Sequence, residues 1–176
     1  MIPGRPLDNR GGAGGSSSRA RPLRVCLVSG EYPPDEGGVA DYTALLAAEL
    51  ARAGHAVEVL TSGRGRGAAA AATAKGGPLV LRSMPRWDLW TPRRVASCVG
   101  RTRPDVVHLQ YQTAAFDLSP WVAAVPWWLG RRRGAITAVT YHDLLVPYLF
   151  PKAGPLRQWV TWVPARHADL TVATNV

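Results

Sequence analysis

From Arg24 to Thr61 the chain reads RVCLVSGEYPPDEGGVADYTALLAAELARAGHAVEVLT, and this stretch decides the fold. Val25, Leu27 and Val28 make an apolar strand that Ser29 and Gly30 close. The paired prolines Pro33 and Pro34 exclude helix and central strand for the next residues, because each lacks an N–H and restricts the residue before it. From Val39 the period changes: Val39, Thr43, Leu46, Leu50 and Ala53 fall on one helical stripe, with Asp41, Glu49 and Arg52 off it. This predicted helix begins directly at Gly37-Gly38. Without Cβ atoms, the pair lets a ligand approach the backbone, and the free N–H groups and helix dipole there favour an anion such as a phosphate. A plain turn would use the same glycines. Gly54 is placed to end the helix, and Ala56 to Leu60 read as a second strand.

Taken together, the strand, the loop ending Asp35-Glu36-Gly37-Gly38, the helix and the Gly54-His55 before the second strand resemble the amino-terminal opening of the GT-B glycosyltransferases, specifically the retaining family 4 type. The resemblance implies a glycine loop facing a cleft between two Rossmann-like domains. Similarity runs from Arg24 to Val176, the extent of one lobe. A complete enzyme of this kind has a second Rossmann-like domain that supplies most of the nucleotide-sugar site, so the expectation is an amino-terminal, acceptor-side domain with the donor-binding domain absent.

Further along, Leu79-Val80-Leu81 gives a third strand after a Gly/Ala/Arg stretch from Gly63 to Gly77 that reads as loop or poorly ordered helix. Thr91-Pro92 has the form of a helix start, with the helix running to about Gly100. Val106 to Tyr111 is a fourth strand, and a helix carrying tryptophans is expected from Ser119-Pro120. Ile136 to Tyr141 is a fifth strand, Leu156 to His167 a helix and Asp169 to Thr174 a sixth strand. Such alternation predicts an α/β fold with a doubly wound, Rossmann-like parallel sheet in the order 3-2-1-4-5-6. Ligands in these sheets lie outside the carboxyl ends of the strands, near the switch point between strands one and four. The Glu31–Gly38 loop, the His108–Gln112 end and His142-Asp143 are therefore expected to converge.

The run Thr140-Tyr141-His142-Asp143 resembles the histidine-bearing strand end of family 4 enzymes. The resemblance implies that His142 faces the donor sugar near the reacting centre, a place where imidazole can donate or accept a proton. Asp143 is suited to orienting His142, binding a sugar hydroxyl or capping the next segment. Gln110, in a His-x-Gln strand end of the family kind, is expected to contact acceptor or sugar; side chains alternate, so His108 and Gln110 share one side and Tyr111 lies on the other until the strand ends, where it is expected to bind substrate, and His108 reads as core packing. Gly37, Gly38 and Asp35 complete the expected binding residues, and Tyr32 and Glu36 have the polarity to join them.

The 176 residues suffice for one domain, with residues 1–22 as a Gly/Ser/Arg-rich disordered tail and residues 23–176 as the lobe. Of the net charge of +9, the five arginines and one aspartate in residues 1 to 24 carry +4 on the tail, which weakens a nucleic-acid role. Arg131-Arg132-Arg133 lies near Trp121, Trp127 and Trp128, compatible with a peripheral membrane patch or with a solvated helix end. Cys26 and Cys98 fit neither a disulfide framework nor metal ligation, and no secretory signal is visible, so a cytoplasmic location is expected, with room for contact at the inner membrane face. No metal or resident cofactor is expected. The implied partners are a nucleotide-diphosphate sugar as donor and a hydroxyl acceptor on a glycan, lipid or small molecule. A nicotinamide oxidoreductase is disfavoured, since the loop lacks Gly-x-Gly-x-x-Gly and the second strand ends without a ribose-binding acid. A noncatalytic lobe that acts with a separate chain is the alternative.

Overall fold

The computed structural model describes residues 21–63, 70–72, 76–130, 134–143 and 155–174. Residues 1–20, Arg131-Arg132-Arg133, the stretch after Asp143 and most of the Gly63–Gly77 segment lie outside them.

Strands β1 (Arg24–Ser29), β2 (Ala56–Ser62), β3 (Ala70–Ala72), β4 (Leu79–Met84), β5 (Val106–Tyr111), β6 (Ile136–Tyr141) and β7 (Leu170–Ala173) form one sheet in the order β3-β4-β2-β1-β5-β6-β7. All pairings are parallel except β3 with β4. Without β3 this is the 3-2-1-4-5-6 order that the sequence predicts. The edge strand β3 was not expected, because its three alanines offer no alternation of polar and apolar side chains.

Helix α1 (Gly38–Arg52) covers one face. Its buried Ala47 joins Val25, Leu27, Val57, Val59 and Val80 in one apolar cluster. The other face lies under α2 (Thr91–Thr102), α3 (Val125–Gly130) and α4 (Pro155–His167), with 3-10 turns at Ala114–Phe116 and Pro120–Ala124. That side holds the larger core, including Val28, Leu60, Val107, Leu109, Val139, Val95 and Phe116. Successive residues of a strand point to opposite faces, so the central strands β1, β2, β4 and β5 feed both clusters, while β6 adds Val139 and Tyr141 to the larger one. Cys26 and Cys98 are both buried and free of any disulfide. The expected tryptophan helix is present as the second 3-10 turn running into α3, where Pro120 and Pro126 divide what would otherwise be one segment.

Gly30 explains how the top of the sheet closes. A Cβ there would lie 2.1 Å from the Ala115 carbonyl oxygen, so the loop after β1 and the turn after β5 can touch only through a glycine.

Candidate functional site

The loop after β1 is shaped by its own groups and by one distant arginine. Ser29 Oγ donates to the Glu31 carbonyl at 2.6 Å, and Tyr32 and Asp35 exchange two bonds, Asp35 N–H to the Tyr32 carbonyl at 3.2 Å and Tyr32 N–H to Asp35 Oδ2 at 3.3 Å. Between them lies a cis peptide at Pro33-Pro34. From β4, Arg82 Nη2 donates to the Tyr32 carbonyl at 3.2 Å and to the Pro33 carbonyl, while its Nη1 stands 3.8 Å from Asp35 Oδ2. The Asp35 carboxylate is thus engaged in forming the loop. Tyr32 is buried in the α1-side cluster. Arg82 was missed by sequence reasoning, since nothing marks an arginine on an apolar strand as the partner of a loop some 50 residues away.

Gly37 is the N-cap of α1 and has no side chain to cap it with, and a Cβ placed on it would lie 2.7 Å from Glu31 Oε2. A Cβ on Gly38 would meet nothing within 4 Å, so its open side is free space. Tyr42 follows Gly38 by four residues and therefore lies on the same side of the helix, one turn on. The Tyr42 ring meets His142 edge to face, with centroids 4.7 Å apart, which brings the start of α1 to the end of β6. Tyr42 had also escaped sequence reasoning, where it lay off the apolar stripe.

His142 stands just past β6, and its backbone N–H donates to the Tyr111 carbonyl at 3.1 Å. On the same sheet face two side-chain pairs run diagonally from β5 to β6. His108 Nε2 lies 2.7 Å from Thr140 Oγ1, and His142 Nε2 lies 3.0 Å from Gln110 Oε1. Burial lowers the His142 pKa, and burial together with the His142 charge lowers that of His108 to about 4. Both imidazoles are consequently neutral at neutral pH, available as hydrogen-bonding groups without charge.

The structure brings together Gly38, Tyr42, Gln110 and His142. Gln110 is 0% exposed and reaches His142. Tyr111 is corrected outright: it points to the opposite face, its hydroxyl donates to the Val160 carbonyl of α4 at 2.9 Å, and its ring packs against Phe116 and Tyr141. Alternation along β5 puts it there, and α4 closes over it. His108 also departs from simple packing, since Thr140 partners its ring. Asp143 lies exposed beyond His142. Among the described residues no group of three or more His, Cys, Asp or Glu side chains could hold a metal ion.

An α/β lobe with polar groups gathered at the carboxyl ends of its central strands is the architecture of a nucleotide- or sugar-handling domain. The family model described as Glycosyltransferase Family 4 matches residues 36–175. The chain belongs to that family. Among solved structures it is similar to the sucrose-phosphate synthase from Thermosynechococcus elongatus, with 19% identity and a TM-score of 0.62 over 85% of this chain and 41% of that one. This likeness shows the shared fold, the Rossmann-like lobe of a GT-B glycosyltransferase, and the chain spans less than half the length of that relative. A search of curated proteins gave no match.

Proposed function

We propose that the chain is the acceptor-side lobe of a retaining glycosyltransferase, which moves a sugar from a nucleotide-diphosphate donor to a hydroxyl acceptor. The observation that carries the reading is the meeting of Tyr42, one turn into α1, with His142, inside the segment matched by the family model. The helix start suits the diphosphate, since its N–H groups and dipole favour negative charge. Beside it, the neutral His142 suits a sugar hydroxyl. In the transfer the bond from the anomeric carbon to the phosphate oxygen breaks, the acceptor oxygen bonds that carbon, and the acceptor proton leaves with the phosphate. Most of the donor site is assigned to a second lobe, and Asp143 is assigned to the sugar or to support of His142. No metal or resident cofactor is part of this scheme.

The test is nucleoside diphosphate release from a panel of nucleotide sugars, with and without added alcohols and glycans. His142→Ala is expected to lower the rate roughly 100-fold, the scale of a lost acid, base or positioning group. A chain that releases no diphosphate from any donor, yet binds an acceptor, supports the second reading, a binding lobe that works with a separate polypeptide. Cytoplasmic location, with peripheral contact at the inner membrane face, belongs to the same proposal.

A further inference from the structure

We infer that Gln110 is a positioning residue, which fixes His142 as the tautomer that carries its proton on Nε2. The carboxamide oxygen Oε1 faces His142 Nε2 at 3.0 Å, and an amide oxygen has no proton to give, so the ring nitrogen donates. A neutral imidazole with its proton on Nε2 keeps its lone pair on Nδ1. What His142 then presents to a bound molecule is an acceptor, matched to a hydroxyl proton and mismatched to a carbonyl or a phosphate oxygen.

Burial separates this role from direct substrate contact. Gln110 is fully enclosed, whereas His142 is only partly so. Its amide nitrogen finds no hydrogen-bond partner among the described residues. A residue that served packing alone would be better apolar, because an unpartnered buried N–H group is costly. The oxygen presented to His142 accounts for an amide at this point. The Tyr42 edge contact fixes the ring from the other side, so tautomer and tilt are set by two residues on different elements. The neighbouring imidazole does not compete for the same amide, since His108 is engaged with Thr140.

The assignment of Gln110 rests on geometry, and only its consequence for the ligand depends on the transferase reading. Nitrogen-15 and proton NMR of the histidine rings tests it on the chain without ligand, with His142→Ala to assign the signals. Expected is a slowly exchanging proton on His142 Nε2, with Nδ1 unprotonated. Gln110→Leu should abolish the slow exchange and raise the Nδ1–H share roughly fivefold, the effect of one ordinary hydrogen bond. Gln110→Glu retains an acceptor oxygen and should retain the Nε2 proton. A wild-type ring protonated mainly on Nδ1 overturns the inference, as does a folded Gln110→Leu chain with an unchanged spectrum. An intact Nε2 signal in a chain that binds neither nucleoside diphosphate nor a sugar acceptor in calorimetry overturns the transferase reading and leaves the role of Gln110 standing.

Discussion

Burial holds the His108 imidazole near a pKa of about 4, against an ordinary 6.5, with the His142 charge as the second cause. Between these two values the unfolded chain binds the proton and the folded chain does not, so stability rises with pH across that window. The contribution is complete above pH 6.5 and is lost as the pH falls towards 4. It amounts to about 3 kcal/mol at most, since one pKa unit corresponds to about 1.4 kcal/mol. Urea midpoints at pH 7 and pH 4.5 should therefore differ more for the wild type than for His108→Gln, which removes the titrating group. The sequence placed His108 on a strand and judged it a core residue. It did not reveal Thr140, because a diagonal neighbour on another strand becomes visible only once the register is known.

At the scale of elements, the glycines around β1 and α1 divide by what surrounds them. Gly30→Ala drives a methyl group into the Ala115 carbonyl, part of a backbone that cannot swing aside as a side chain would. A loss of about 1–3 kcal/mol is expected, typical of overpacking, and denaturant melts measure it. Gly38→Ala places the same methyl group in open space on the first turn of α1. It should leave the melt within about 0.5 kcal/mol of wild type and weaken nucleoside diphosphate binding in calorimetry. Unchanged binding would remove Gly38 from the anion site. Much of this was legible: the glycine pair, the prolines and the change of period marked loop and helix start. The need for Gly30 was hidden, because its neighbour Ala115 belongs to a turn some 85 residues later. Tyr111 departs for a related reason: alternation put it on the other face, and only the structure shows that α4 covers the strand end there.

For the whole molecule, alternating strands and helices were enough to give the sheet order, as six of the seven strands carry their own apolar pattern. The outer surface was less legible. Trp159 and Trp162 of α4 are 41% and 59% exposed, while Val160 and Val163 of the same helix face the core. Residues 159, 162 and 166 lie on one helical stripe, so Arg166 extends the tryptophans into an aromatic and basic strip. Trp121 is exposed as well, whereas Trp128 packs against the core and Trp127 pairs with it. No helix among the described residues is long and apolar enough to cross a membrane. The strip suits the headgroup level of an anionic bilayer, which is the proposed peripheral contact. Cosedimentation with phosphatidylserine vesicles should show binding that declines with salt and weakens roughly fivefold in Arg166→Ser, the effect of about 1 kcal/mol per basic residue. Equal binding to neutral vesicles would count against it.

The two diagonal pairs between β5 and β6 also bear on how the chain finds its fold. His108 meets Thr140 and Gln110 meets His142, each partner 32 positions later, so one offset satisfies both pairs at once. A slip of a single residue would turn Val139 and Tyr141 towards the polar face and strand both pairs among apolar neighbours. Side chains placed for chemistry thus act as a matching key during assembly, and a variant that loses them should misalign β5 and β6 more often on refolding, even where its finished structure melts like the parent.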